Sequence, residues 1–335
     1  MKYIKLGKTN LDVSEISLGT MIFGEDPSTK RGADESASMQ MIKRFVDEGG
    51  NFIDTANVYA GGKSEKILGN TVKEYRDDLV IATKCRFPLE KGPNKSGLSR
   101  KYILYSVEKS LERLQTDYID LLYVHCNVVN MDFLDFLKTL NDLVVANKVR
   151  YIGVSNFRAW EVAKALQISE SKDWARFQAA QYQYSLVERS IEREFSTLAV
   201  SEKLSIVPWG PLGGGFLTGK YHSDQKPTEG RISVTPDAYE ESWSKRATDQ
   251  NWQVLTKMEE IKEKTGKSIS QIAIAWLMKQ PGVVSPIVGV RTMAQLEDNL
   301  GVVGWEMPQK DVDELTRLSE PSVPYPYRMI KSNCC

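Results

Sequence analysis

Short apolar runs alternate with amphipathic stretches along most of the chain. The runs fall at 16–21, 52–56, 79–84, 119–125, 149–155, 177–182, 205–210 and 283–290. Several are almost continuously apolar, as strands buried on both faces are. Helical spacing recurs between them at 39–47, 64–75, 99–114, 132–146, 160–168, 191–201 and 292–300. It is plainest where Leu104, Val107, Leu111 and Leu114 share one face. Strand and helix in alternation predict parallel strands joined by right-handed crossovers. Eight such units predict an α/β fold of the (β/α)8 TIM-barrel type, with 1–335 as a single domain.

Segments 3–6 and 11–13 flank Gly7-Lys8-Thr9-Asn10 and predict a β-hairpin that plugs the bottom of the barrel. Residues 211–250 are rich in Gly, Pro, Ser and charge and show little periodicity. So long a loop in a compact domain is usually functional, and after the seventh strand it belongs at the barrel's C-terminal face. Helical patterns at 252–264 and 269–279 predict an extra helix toward the C-terminus. An open doubly wound sheet would want G-x-G-x-x-G after its first strand. Gly19-Thr20-Met21-Ile22-Phe23-Gly24 lacks it.

Composition narrows the function. Hydrophobic residues are 41% of 335, enough for a sizeable core. Forty-four basic residues balance 44 acidic ones, which leaves no footprint for nucleic acid or an anionic membrane. Only two histidines, His125 and His222, argue against a multi-histidine metal site. The four cysteines form no C-x-x-C and read as reduced thiols, so a cytoplasmic protein is expected. Neither a signal-type stretch in the first thirty residues nor a run long enough to span a bilayer is found. Cys334-Cys335 has the form of a double-prenylation tail, which the tail of a cytosolic enzyme explains equally well.

In a barrel, catalytic side chains come from the C-terminal ends of strands. Those ends carry Asp54 with Tyr59 just beyond, then Lys84, then His125. Each alone has a plain reading, as a helix cap, a loop aromatic, a strand end or a rim residue; together they make one device. A free tyrosine has a pKa near 10. A lysine cation within about 4–6 Å favours the phenolate, and the expectation is a lowered pKa. An aspartate keeps the lysine charged, and the histidine can hydrogen-bond a substrate oxygen. Tyr59 then serves as a general acid to an oxygen gaining negative charge, such as a carbonyl receiving hydride. No side chain supplies hydride, so a nicotinamide cofactor is implied.

Ser155, Asn156 and Gln181 end the fifth and sixth strands and suit a carboxamide, while Trp209 offers a flat face to a nicotinamide ring. The stretch Gly210-Pro211-Leu212-Gly213-Gly214-Gly215 up to Lys220 lets backbone N–H groups approach a pyrophosphate. Gly214 to Lys220 fits G-x-x-x-x-G-K, but Tyr221 stands where a P-loop needs Ser or Thr. Gly289-Val290-Arg291-Thr292 opens a helix carrying Gln295, Asp298 and Asn299, and a helix start with an arginine suits a phosphate.

These segments resemble the aldo-keto reductase family over essentially the whole chain. The resemblance rests on Leu6-Gly7-Lys8-Thr9, on Phe52-Ile53-Asp54-Thr55-Ala56 with Tyr59, and on Ser64-Glu65 with Leu68-Gly69. It continues in Asp117-Tyr118-Ile119-Asp120 leading to His125, in Val149 to Phe157, in Gln181 to Leu186 and in the Pro211 to Gly215 loop. It implies that Asp54, Tyr59, Lys84 and His125 are the catalytic tetrad. It places Gly19, Thr20 and Met21 beside the nicotinamide, with Ser155, Asn156 and Gln181 on its amide and Trp209 stacked on it. Leu212, Gly214 and Lys220 would hold the pyrophosphate, and Arg231, Arg291, Gln295, Asp298 and Asn299 the adenosine end. The cofactor implied is NADPH, with NAD not excluded, and the partner a small-molecule carbonyl compound.

The long seventh loop resembles the branch that includes voltage-gated potassium channel β subunits. His125, and no extended N-terminal segment, favour a free enzyme. Cys126-Asn127-Val128-Val129-Asn130 departs from the family's common pattern, which bears on substrate identity. Three readings stand: carbonyl reduction, the same site run backwards on a sugar or polyol, and a cofactor-bound redox sensor for a protein partner. An oligomer is compatible with each. Tyr325, Tyr327 and Trp243 are candidates for pocket lining or plain packing.

Overall fold

The computed structural model describes residues 1–25, 32–223, 225–228, 230–239 and 241–333. Cys334 and Cys335 lie outside the described residues. Two short strands, β1 (Tyr3–Lys5) and β2 (Asp12–Ser14), pair antiparallel as the expected hairpin. Eight parallel strands follow: β3 (Ser17–Gly19), β4 (Phe52–Asp54), β5 (Val80–Cys85), β6 (Ile119–Val124), β7 (Val149–Ser155), β8 (Phe177–Gln181), β9 (Ser205–Ile206) and β10 (Ile287–Gly289). Their order is β10-β3-β4-β5-β6-β7-β8-β9. A parallel bridge between Ile206 and Val283 brings the two edges together and curls the sheet into a barrel.

The seventh and eighth strands are shorter than their apolar runs predict. Pro208 and Pro286 interrupt those runs and have no N–H to give a ladder. Their carbonyls still accept, from Ile287 N at 2.8 Å and from Ser17 N at 3.0 Å.

Helix starts follow the sequence chemistry closely. Ser99, Asp132 and Thr292 are N-caps whose side chains accept from the first turns of Arg100–Leu114, Phe133–Val145 and Met293–Leu300. The two patterns before the last strand form Asp249–Thr265 and Ile269–Met278. The long seventh loop carries short helices at Arg231–Val234 and Trp243–Arg246, which its irregular polarity hides.

One apolar cluster fills the barrel and another lies between strands and helices. Phe52, Val80, Ala82, Leu121 and Ala179 form the inner cluster together with Leu6 and Val13 of the hairpin region. Gly7 N donates to Ser205 Oγ at 2.7 Å, which seats the hairpin at the N-terminal end of the strands.

Candidate active site

Side chains two apart on a strand share a face. Asp54 follows Phe52 by two, Lys84 follows Ala82, Tyr123 and His125 follow Leu121, and Gln181 follows Ala179. The apolar filling of the barrel therefore gives way to polar side chains at the C-terminal mouth.

Lys84 is fully buried, with Asp54 and Gln181 2% exposed. Lys84 Nζ donates to Asp54 Oδ1 at 2.5 Å, to the Thr55 carbonyl at 2.8 Å and to Tyr59 Oη at 3.1 Å. Gln181 Nε2 donates to the other Asp54 oxygen at 2.7 Å. The His125 ring stands edge-on to Tyr59 at 6.0 Å and to Phe87 at 4.8 Å.

Burial opposes the Lys84 ammonium, but Asp54 and Tyr59 outweigh it and hold its pKa above the usual lysine value. Burial raises the Tyr59 phenol, and Lys84 pulls it back without prevailing. The lowered tyrosine pKa expected from the sequence is thus reversed in the protein alone, because the phenol is taken out of water along with its lysine. Burial, with the charges of Lys84 and Arg86 behind it, lowers His125 to about 3. The imidazole is neutral at pH 7, and its buried Nδ1 has no partner.

Around the tetrad, Ser155 Oγ donates to the Gln181 carbonyl at 2.7 Å, and Asn156 Nδ2 donates to Ser155 Oγ and to the His125 carbonyl at 2.9 and 3.0 Å. The trio expected on a carboxamide therefore also braces the floor of the mouth. Gly19 ends β3, and a Cβ there would lie 2.6 Å from Ile287 Cγ2. Thr20 Oγ1 donates to the Asp54 carbonyl at 3.1 Å, and Met21 is 41% exposed at the rim.

Trp209 is half-buried, its backbone pinned to Tyr182 and Tyr184 at 2.9 and 3.2 Å. Past Gly210, Pro211 and Leu212, the glycine loop turns through positive φ. Gly214 is at 70°, and a Cβ there would meet Ile232 Cγ2 at 2.9 Å, so glycine is what lets Ile232 and Glu241 close onto the loop. Arg231 is held there by Glu241 at 2.5 Å. Burial and the charge of Arg291 lower the Lys220 pKa, which puts two cations at one end of the loop.

Arg291 N donates to Gln295 Oε1 at 2.8 Å where the last barrel helix begins, just past exposed Gly289. Asp298 is drawn to Gln271 Nε2, at 2.7 Å by its carbonyl and 3.3 Å by Oδ1, and Asn299 is buried. A nicotinamide dinucleotide asks for a flat face, close backbone and unmatched cations. Trp209, the glycine loop and the Lys220–Arg291 pair fit it. So does the buried Gln183 Nε2, which lacks a partner beside Gly210.

Several contributors were given no role by the sequence reading. Arg86 turns through φ 126°, and its guanidinium lies 4.3 Å over the Phe87 ring. Glu65 accepts from Thr83 Oγ1 at 2.5 Å and from Arg113 Nε at 2.6 Å, and Ser64 Oγ bonds Thr20 and Thr55, so these signature residues brace the site from behind. A cleft of about 790 Å³ opens beside Trp209, walled in part by Asn156, Arg231 and Tyr327. Tyr325 is 74% exposed, and Trp243 packs between the Tyr221 and Trp252 rings at 6.1 and 6.0 Å.

The model of the Aldo/keto reductase family matches residues 15–320. The chain belongs to the aldo/keto reductase family. It is 33% identical to a versiconal hemiacetal acetate reductase of Aspergillus parasiticus, over 97% of this chain and 98% of that one. It is 35% identical to a norsolorinic acid reductase of Emericella nidulans, over 93% and 79%. A probable voltage-gated potassium channel subunit beta of Arabidopsis thaliana is 32% identical over 90% and 91%. As an aldo/keto reductase the protein is a TIM barrel and an oxidoreductase of carbonyl and alcohol groups, in a family that uses NAD(P)H. No helix among the described residues is long and apolar enough to cross a membrane.

Proposed function

We propose that the protein reduces an aldehyde or ketone to the alcohol with NADPH, and that Tyr59 gives the proton. The observation that carries this is the buried chain from Gln181 through Asp54 and Lys84 to the Tyr59 hydroxyl, the last link being 3.1 Å. Bound NADPH supplies a hydride to the carbonyl carbon. The Tyr59 phenol, kept protonated by burial, donates to the carbonyl oxygen as negative charge grows there. Lys84 stays cationic and stabilises the phenolate left behind, which solvent reprotonates. Asp54 holds the ammonium in place and balances its charge in the dry site. Neutral His125 orients the carbonyl oxygen by a hydrogen bond.

Trp209, Ser155, Asn156 and Gln181 would hold the nicotinamide, the glycine loop with Lys220 the pyrophosphate, and Arg291 with Gln295 the far end. Lys220 and Arg291, which have no ion pair among the described residues, support NADPH over NADH. The names of the two fungal relatives support the reductive direction, and Cys85 and Cys126, which are unpaired among the described residues, support a cytoplasmic home.

Tyr59→Phe tests the reading. NADPH oxidation at 340 nm over a panel of aromatic, aliphatic and sugar carbonyls should fall by about 10²–10⁴-fold, with cofactor binding retained. A variant with near-full turnover would refute the assignment. Cofactor binding by the wild type without turnover on any carbonyl would point first to the oxidative direction, then to a sensor.

A further inference from the structure

In the cleft beside Trp209, Asn156, Gln183 and Trp209 are residues given to the cofactor, whereas Arg158, Arg193, Tyr239 and Tyr327 have no part in holding it. The cleft's volume of about 790 Å³ lies within the roughly 300–1,000 Å³ of small-molecule pockets. Tyr182, Trp209, Tyr239 and Tyr327 give it flat aromatic walls. It adjoins the tetrad through Asn156, whose side chain is bonded to the His125 carbonyl.

Its charges do not all cancel locally. Three carboxylates line the cleft and each has a partner on at least one oxygen, although the buried Oε1 of Glu241 has none. Glu241 pairs with Arg231 at 2.5 Å. Glu188 accepts from Ser190 N at 3.2 Å and lies 3.5 Å from the buried Arg246. Glu194 accepts from the Tyr327 hydroxyl at 2.6 Å. Two lining guanidiniums are left over. Arg158 is 3.9 Å from Glu161, whose oxygens already accept from Asn127 Nδ2 at 2.9 and 3.0 Å and from Arg158 N at 2.8 Å. The Arg193 side chain has no hydrogen bond or ion pair to any described residue, and its charge is felt by the Tyr327 phenol.

A guanidinium fork matches a planar carboxylate. The three resident carboxylates disfavour a doubly charged phosphate more than a singly charged group. We propose that this cleft binds the body of the carbonyl substrate, and that the substrate is a flat aromatic compound bearing a carboxylate remote from its carbonyl, held by Arg158 and Arg193. The proposal rests on the reading of Tyr59 as the proton donor at the adjoining site.

The test compares 4′-formylbiphenyl-4-carboxylate with its methyl ester as substrates of the NADPH-loaded enzyme. A charge-assisted hydrogen bond is worth roughly tenfold in affinity, so kcat/KM for the acid should exceed that for the ester by about that factor. Arg158→Gln and Arg193→Gln should each lower the acid-to-ester ratio at least threefold through KM for the acid. Arg193→Lys should recover part of it. Both arginines are exposed, and a circular dichroism spectrum checks that the variants fold.

A ratio near one in the wild type, or the same ratio in both glutamine variants, overturns the proposal. Tyr59→Phe separates the two claims. In that variant, quenching of tryptophan fluorescence by acid and ester measures binding without turnover, and the acid should bind more tightly. This titration also decides the matter if neither compound turns over. Retained turnover in Tyr59→Phe would sink the proton-donor reading and leave an acid preference standing on its own.

Discussion

Lys84–Asp54 at the mouth of the barrel and Arg76–Asp120 toward the N-terminal ends of its strands are both ion pairs withdrawn from water. Their side chains are 0% and 3% exposed in the first and 11% and 13% in the second. Arg76 uses all three of its guanidinium nitrogens, bonding Thr116 Oγ1 at 3.1 Å, the Leu79 and Tyr118 carbonyls at 3.1 and 2.9 Å, and Asp120 at 2.7 Å. Asp120 also accepts from Ile81 N at 3.0 Å, and the guanidinium rests 4.1 Å over the Tyr118 ring. The mouth is finished differently. The third Lys84 donor goes to a phenol with a proton of its own to give, while His125 Nδ1, Tyr123 Oη and Gln183 Nε2 are buried without partners. Buried polar groups are nearly always paired, so a cluster of unpaired ones marks where a ligand completes the set. A pair among satisfied neighbours holds the fold, and a pair whose neighbours lack partners waits for a ligand.

The largest effects should come from breaking each pair in turn. Removing one partner of a buried pair costs about 3–5 kcal/mol, because the other charge is stranded. Lys84→Met and Arg76→Met should therefore both lower the urea midpoint. Only Lys84→Met should also remove turnover, by about 10²-fold or more, since Tyr59 loses the cation that stabilises its conjugate base. Folded Arg76→Met should keep its specific activity within about twofold. Urea unfolding and initial rates on the same preparations decide it. If folded Arg76→Met lost turnover, the division between the two ends would fail.

The same division runs through what the sequence disclosed. Alternation of apolar runs made eight strands legible, because parallel strands buried on both faces leave that trace. It could not mark where β9 stops or β10 begins, since Pro208 and Pro286 sit inside runs that otherwise read as strand. Asp54, Lys84 and His125 were legible as charged or polar side chains at strand ends, and Tyr59 as an aromatic just beyond the strand that ends in Asp54. Arg86 and Phe87 were not, because their approach to His125 depends on a turn with φ 126° that residue type does not announce. The direction of the Tyr59 pKa was misread for a related reason: a cation nearby can be inferred from sequence, whereas depth of burial is a property of the packed molecule.

Gly69 sharpens the contrast at intermediate cost. A Cβ there would lie 2.5 Å from the Leu114 carbonyl oxygen, where helix Lys63–Val72 crosses Arg100–Leu114. Backbone cannot move aside as a side chain can, so Gly69→Ala should cost about 1–3 kcal/mol. Its place in the signature would then be a matter of packing. Thermal unfolding should show the loss, while kcat of the folded variant stays close to wild type. A large fall in kcat with little loss of stability would mean that this helix transmits its position to Tyr59 through Ser64 and Glu65, and the bracing behind the mouth would belong to the site.

The smallest effect is a pH dependence of stability. His125 is held neutral to about pH 3 by burial and by the charges of Lys84 and Arg86, whereas an unfolded histidine titrates near 6.5. Between those values the unfolded chain binds a proton that the native protein does not. The contribution of His125 is thus complete above about pH 6.5 and is lost as the pH falls toward 3, with a limiting slope of about 1.4 kcal/mol per pH unit. His125→Gln removes that proton, so its unfolding free energy should decline less than that of wild type between pH 7 and pH 5. For the same reason no histidine inflection should appear in kcat over that range. An inflection near pH 6.5 that His125→Gln abolishes would mean that the imidazole titrates as if in water. The unpartnered Nδ1 would then mark an open, solvated mouth, and the distinction between an ion pair with satisfied neighbours and one with waiting neighbours would lose its physical basis.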